Sequence, residues 1–255
     1  MVTDRKLKNT FSKVSKLYDS ARPSYPAKLV NDIFRKAKIN NKSKILDIGC
    51  GPGTATQLFA KKNCQIIGID IGKSLISIAK KKALKNCNIS YRTTSFEKSR
   101  FKPENFNLIY SAQAWHWIDP NIAYVKAHEL LESGGHLALF WKNEEFEKNK
   151  FMRKVSNLFV KHCGKKNRKP VAIKKAEKEL KKCKLFHPYE KKEYLVKIKF
   201  ARKKFSDMIH TYSWVIALSG KNKENFETEF SKLLEKQNKN FTIPYKYTLL
   251  IAKKK

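Results

Sequence analysis

The sequence predicts an α/β fold, a doubly wound, seven-stranded, mostly parallel sheet with helices on both faces. Three observations predict it. Short apolar runs alternate with helical apolar spacings from Lys44 to Trp141, the pattern of strand–crossover–strand units. A glycine-rich stretch, Gly49-Cys50-Gly51-Pro52-Gly53, falls between the first strand and the helix that follows it. The chain has 255 residues, 41% of them hydrophobic, enough for one core of this size.

The elements follow in order. Lys6 to Asp19 carries Leu7, Phe11, Val14, Leu17 and Tyr18 at helical spacing, and Arg22-Pro23-Ser24-Tyr25-Pro26 breaks it. Pro26 opens a helix running to about Lys38. Strands are expected at Lys44 to Ile48, Gln65 to Asp70, Asn88 to Arg92, Phe106 to Ala112 and His136 to Trp141. Helices are expected at Thr54 to Lys62, Lys73 to Leu84 and Asn121 to Leu131, the last stopped by Gly134-Gly135 as a C-cap. Beyond Trp141 the pattern loosens. Phe151 to Cys163, Val171 to Lys182, Lys204 to Leu218 and Glu224 to Lys236 read as helices, with Lys165 to Lys169 as a basic loop. Tyr194 to Phe200 and Tyr245 to Ala252 read as strands. The expected organisation is one domain over 1–255. Residues 1–40 supply cap helices, 41–142 the core, 143–220 a helical insertion that joins the cap helices as a lid, and 221–255 the closing helix and strand.

The longest apolar runs, Trp214 to Leu218 and Thr248 to Ala252, are far short of the ~20 residues a membrane helix needs. Met1 to Lys8 is polar, with no apolar core of a secretory signal. Cys50, Cys64, Cys87, Cys163 and Cys183 form an odd set without CxxC spacing, which favours reduced thiols and a cytoplasmic setting. The net charge is +34, yet it comes from 48 lysines and only eight arginines. Bidentate base and phosphate recognition draws on arginine. A lysine and asparagine excess spread along the whole chain reads as drift of an AT-rich coding sequence, so a nucleic-acid partner is disfavoured.

The strongest motif is Ile45-Leu46-Asp47-Ile48-Gly49-Cys50-Gly51-Pro52-Gly53-Thr54. Its glycines follow G-x-G-x-G, and Thr54 departs from the dinucleotide fingerprint G-x-G-x-x-G, which argues against a nicotinamide oxidoreductase. Asp47 before the loop suits a cationic ligand such as a sulfonium amino acid and would repel a pyrophosphate. Asp70 ends the next strand, where a carboxylate can accept both hydroxyls of a ribose. The fourth strand delivers Ser111-Ala112-Gln113-Ala114-Trp115-His116-Trp117 at its carboxyl end, where open α/β sheets bind ligands. Trp117 is expected in the core. His116 is open to two roles, general base or positioning group. No clustered His, Asp or Glu spacing suggests a metal.

Residues 11 to 141 resemble class I S-adenosylmethionine-dependent methyltransferases, more narrowly the group of trans-aconitate methyltransferases and their relatives. The resemblance rests on Phe11 to Pro26, the glycine loop, Phe106 to Pro120 and Leu130 to Trp141, and more weakly on Thr211 to Trp214 and Ile243 to Tyr245. It implies a Rossmann-like fold whose last strand runs antiparallel, with S-adenosylmethionine as cofactor and S-adenosylhomocysteine as product. It implies that Gly49, Cys50, Gly51 and Gly53 lie under the methionine part, Asp70 holds the ribose and Ile71 sits beside the adenine. Ser95 and Phe96 would flank the adenine, although this chain lacks the acid the family often has near Ser95. Tyr18 and Arg22 would fold over the cofactor, Arg22 pairing with its carboxylate. Gln113 would touch the cofactor near the methyl group, and Trp115, His116, Trp141, Tyr212 and Trp214 would shape the acceptor pocket. The implied reaction is in-line methyl transfer to a small molecule, with a carboxylate as the acceptor class of the trans-aconitate enzymes. The (D/N)-P-P-(Y/F/W) tetrapeptide of base and glutamine amino-methyltransferases is missing, so adenine N6 methylation is disfavoured. The competing readings are an RNA or protein methyltransferase using the basic surface, and a non-catalytic homologue that kept the fold. The expected oligomeric state is monomer or weak dimer.

Overall fold

A computed structural model describes residues 15–84, 87–164 and 171–255. The described residues form one seven-stranded sheet in the order β3-β2-β1-β4-β5-β7-β6, with the last strand antiparallel. The strands are β1 (Lys44–Ile48), β2 (Gln65–Asp70), β3 (Ile89–Thr93), β4 (Phe106–Ala112), β5 (Leu131–Glu144), β6 (Glu190–Ala201) and β7 (Asn240–Lys253). β1 pairs in parallel with β2 and β4, which places the order reversal at β1 and β4. That reversal is where doubly wound sheets open a ligand crevice beyond the strands' carboxyl ends.

Contacts divide the chain into two compact units. The larger comprises Ser24–Lys142, Val171–Tyr194 and Tyr247–Lys255, and the smaller Met1–Pro23, Asn143–Pro170 and Leu195–Lys246. In the larger unit β1 is buried on both faces, as parallel strands under helices must be, with Ile45 and Leu46 fully enclosed. Helix α2 (Ala27–Lys36) follows Pro26, whose fixed φ of −62° suits a helix entry, and buries Leu29, Val30, Ile33 and Phe34. The rings of Phe59, Tyr110 and Phe140 stack in this core. Helix α5 (Pro120–Leu130) has Asp119 as its N-cap, accepting from the Asn121 N–H at 3.0 Å, with Pro120 in the first turn. Helix α7 (Val171–Lys182) is amphipathic: Ile173, Ala176 and Leu180 join the core cluster with Trp115 and Tyr124 while its lysines face out.

The smaller unit is built on aromatic packing. Helix α6 (Lys150–Cys163) is capped by the Asn149 side chain on the Met152 N–H and ends on Gly164 at φ 60°. Its Phe159 meets Tyr212, Trp214 and Phe226. Phe205 of α8 (Arg202–Ile209) packs on Phe151, Phe230 and Phe241. Helix α1 (Ser15–Ala21) contacts α8.

Several expected boundaries move. Gly134-Gly135 does not cap α5; that helix stops at Leu130, and the glycines lie within β5, beside a register shift opposite Phe106 and Leu108. The expected helix over Lys204 to Leu218 is two, α8 and α9 (Ser213–Ile216). The break comes at Thr211 and Tyr212: the Thr211 hydroxyl donates back to Met208 O at 2.6 Å, and Tyr212 turns extended at ψ 131°. The helix expected from Thr54 is shorter, α3 (Thr56–Phe59) continuing as a 3-10 turn to Lys62. The expected helix at Lys73 is α4 (Lys73–Lys82), and α10 (Gly220–Glu235) matches the last. Strands β6 and β7 are longer than their apolar runs, β7 passing through Pro244. Residues 6–14 of the first expected helix and the basic loop at 165–169 lie outside the described residues. No helix of the described residues is long and apolar enough to cross a membrane.

Candidate cofactor and acceptor site

The turn after β1 is held by main chain. The N–H groups of Gly49 and Cys50 both donate to Ile69 O, at 2.8 and 3.0 Å, tying the loop to the end of β2. Gly49, Gly51 and Gly53 have φ of 69°, 54° and 78°, the left-handed region that L side chains avoid. At Gly49 the constraint is also steric, because a Cβ there would overlap the Ala114 Cβ beyond the end of β4. The main chain of the two strand ends therefore comes into close approach.

Two carboxylates underlie this turn. Asp70 accepts from the Gly72 N–H at 2.7 Å and from the Gly51 N–H at 3.0 Å, one on each oxygen. Each oxygen keeps a further lone pair for another donor. Burial pushes the Asp70 carboxyl above its usual range, against the pull of those amides. Asp47 is fully buried, and its Oδ2 accepts from the Thr56 and Tyr110 hydroxyls, both at 2.7 Å. Its Oδ1 is buried with no hydrogen-bond partner. Burial, with a smaller push from Asp70, raises the Asp47 carboxyl to about 7, against the pull of the two hydroxyls. Asp47 thus braces the turn from beneath, while Asp70 is the carboxylate with oxygens placed at the loop.

This shift has a sign that can be tested. Between pH 4 and 7 the folded state holds a proton on Asp47 that the unfolded chain, with the usual carboxyl near 3.8, has released. Stability from this group therefore falls as pH rises through that window. Asp47→Asn is expected to remove the slope, leaving the variant more stable relative to wild type at pH 8 than at pH 5 by about 1–3 kcal/mol. Urea denaturation at the two pH values checks it. Taking the difference from wild type cancels His136, whose burial lowers its pKa to about 4 and gives the opposite slope. An unchanged difference would mean Asp47 is ionised when folded.

At the end of β4, Gln113 is one of four described non-glycine residues at positive φ, here 65°. Its N–H donates to Phe140 O at 3.0 Å and its Nε2 to Lys142 O at 2.9 Å, bracing the ends of β4 and β5. Trp115 is 3% exposed and packs edge-on against Tyr124 and near Phe96. Trp117, expected in the core, is half-buried; Trp115 takes the core position. Trp141 donates from Nε1 to His116 Nδ1 at 3.4 Å. Ile71 is 46% exposed next to Asp70. Ser95 caps a turn, its hydroxyl accepting from the Lys98 N–H, and Phe96 lies inside the core beneath the Lys126 ammonium.

Within the smaller unit, Arg22 donates from Nε to Thr211 Oγ1 at 2.8 Å and lies 4.3 Å over the Tyr212 ring. Tyr212 stacks on Trp214 and donates to Glu144 Oε1 at 2.5 Å. The side chain of Tyr18 lies outside the described residues, although its backbone is in α1.

Sequence reasoning missed Thr56, Tyr110 and Tyr91. Tyr91 fills the space left by Gly68 and Gly53, where an added Cβ would meet its ring or hydroxyl within 3.0 Å. A glycine inside the Gln65–Asp70 strand was the available signal, since strand glycines mark close approach.

Comparison with known proteins agrees with this geometry. Residues 46–139 match the family described as methyltransferase domain. A Saccharomyces cerevisiae protein named as a probable S-adenosylmethionine-dependent methyltransferase is 35% identical over 128 residues, covering 49% of this chain and 43% of that protein. The chain spans about half the length of the curated relatives it matches. Among solved structures, one described as a type II methyltransferase from Anaeromyxobacter dehalogenans superposes with a TM-score of 0.66 at 17% identity, covering 92% of this chain and 97% of that one. The Haemonchus contortus phosphoethanolamine N-methyltransferase 2, solved with phosphomonomethylethanolamine and S-adenosylhomocysteine, gives 0.52 at 15% identity, covering 99% and 58%. Residues 46–139 are thus similar in sequence to methyltransferase domains, and the described residues have the Rossmann-like α/β fold of these solved structures.

Proposed function

We propose that this chain is an S-adenosylmethionine-dependent methyltransferase acting on a small molecule, with a carboxylate as the acceptor class to test first. The observation that supports this most is the pair of carboxylates, Asp47 and Asp70, beneath a turn whose three glycines have positive φ. When bound, a sulfonium cofactor would supply the methyl group for transfer to the acceptor. Asp70 accepts the ribose hydroxyls, and the bare backbone of Gly49 to Gly53 lets the methionine part approach. Within the larger unit, His116, held by Trp141, is assigned to the acceptor side of this site, while Trp115 packs in the core. The five free thiols support a cytoplasmic setting. The test is calorimetric titration with S-adenosylhomocysteine, with NADH as control. Micromolar or tighter binding of the first alone is expected; binding of neither sinks the reading.

The Trp141 contact bears on His116. With Nδ1 accepting, the ring proton sits on Nε2. A donor positions a carboxylate acceptor, which needs no base. His116→Ala is therefore expected to raise the acceptor KM by about tenfold, the value of one hydrogen bond to a charged group, with kcat changed less than threefold. A kcat collapse that rises with pH in the wild type would make His116 a base instead.

A further inference from the structure

A concavity of the larger unit lies at the opposite end of the parallel strands from the glycine loop. Lys42 and Ser43 precede β1, Asn107 belongs to β4, Glu132, Gly134 and His136 to the start of β5, and Lys253 to the end of antiparallel β7. The end of α2 and the turn after it add Arg35, Lys36 and Lys38, and Lys192 comes from β6. The cavity measures about 760 Å³, the size of a nucleotide-scale ligand site.

Its charge is one-sided once partners are counted. Six of its lining residues are lysine or arginine and two are acids. Both acids are engaged: Asp32 by Arg35 at 2.5 Å, Lys192 at 3.4 Å and the Tyr194 hydroxyl at 2.8 Å, and Glu132 by the Asn107 amide. Lys36 pairs with Glu190. Lys38, Lys42 and Lys253 make no ion pair among the described residues. The carbonyls at the end of α2, which would repel an anion, are already taken. Ala37, Lys38 and Ile39 donate to Ile33, Arg35 and Phe34, with Lys38 at φ 51° closing the turn.

The wall contains an independent mark of a ligand. His136 is 93% buried, and its Nδ1 has no hydrogen-bond partner. A buried ring nitrogen left unmatched costs free energy unless something supplies the missing partner. A phosphate oxygen among the lysines would do so after a small shift of the ring, since Nδ1 itself has no exposed surface here.

We propose that this cavity is a binding site for a diphosphate-bearing small molecule, held by Lys38, Lys42 and Lys253 with His136 as the hydrogen-bonding group at its wall. A duplex nucleic acid is the poorer fit, because a convex cylinder of phosphates can neutralise surface lysines without reaching a buried ring. The site is separate from the cofactor loop, and the inference does not rest on the methyltransferase reading.

The experiment is calorimetric titration of the full chain with inorganic pyrophosphate and, separately, ADP, at 50 and 150 mM salt, values set as roughly those that vary screening. The expected result is saturable 1:1 binding of pyrophosphate, weakened at least tenfold in Lys42→Ala/Lys253→Ala. Removing the same charge in Lys80→Ala/Lys81→Ala on α4 should change it less than twofold. Tighter binding of ADP than of pyrophosphate would name a nucleotide as the source of the diphosphate; equal binding would name diphosphate itself. In the nitrogen NMR spectrum, the His136 ring signals should move on addition of pyrophosphate. His136→Gln should weaken binding with the fold retained, as checked by circular dichroism. The proposal is overturned by no saturable binding at millimolar pyrophosphate, by equal losses in the two double-lysine variants, or by His136 signals that stay fixed. Duplex RNA binding without pyrophosphate binding overturns it as well.

Discussion

Asp70→Ala is expected to weaken S-adenosylhomocysteine binding by about 100-fold or more. Two hydrogen bonds from ribose hydroxyls to a carboxylate are together worth about 3 kcal/mol or more, which corresponds to a factor of that size. The carboxylate also receives the Gly51 and Gly72 N–H groups, so its removal leaves two loop amides without acceptors. Asp70→Asn separates the two effects. Its amide oxygen keeps an acceptor for one of them while its NH2 opposes the other, so a smaller loss of affinity and a smaller fall in melting temperature than in the alanine variant are expected. Calorimetry paired with thermal melts checks both variants. Wild-type affinity in a folded Asp70→Ala protein would remove the ribose assignment and with it the main support for the cofactor.

The second large effect is in the turn itself. Gly49→Ala is expected to cost about 2–5 kcal/mol, combining a left-handed backbone with overlap on Ala114. That is a large share of the 5–15 kcal/mol typical of a domain's whole stability. Gly51→Ala shares the backbone term, but its Cβ would meet nothing within 4 Å. It should cost only about 1 kcal/mol. Adding Ala114→Gly to Gly49→Ala should recover the steric part and leave the backbone part. Urea midpoints of the four proteins decide it, and equal midpoints for the two single alanine variants would show that the strand ends are not in contact.

Much of the fold was legible because its signals are local. The Asp47–Gly53 loop is contiguous, and the first five strands are apolar runs between glycines and helical spacings. What was not legible depends on tertiary contacts. Trp115 and Trp117 are two residues apart in one short motif, and only the packing of Tyr124, Phe96 and α7 decides which is buried. Gly134-Gly135 looks like a helix stop, yet a glycine pair serves a strand irregularity equally well. The break at Thr211 hides within a continuous helical spacing, because its cause is a side-chain hydroxyl bonding backward. The position of Asp47 beneath the loop depends on Thr56 and Tyr110, which come from two other elements. The lysine cavity was invisible for a related reason. Its lining comes from separated stretches of a chain in which lysine is everywhere, so no single window stands out.

The strand order has a consequence for how the chain reaches this structure. β7 is made after β6 but lies between β5 and β6. Until it arrives, β6 has no neighbour in the sheet, and β5 presents an open edge. Pairing must then wait for contacts distant in sequence, the kind that slow folding and leave unpaired edges exposed to other chains. During synthesis the parallel half, β1 to β5, can assemble first, while completion of the sheet is a late and concerted event.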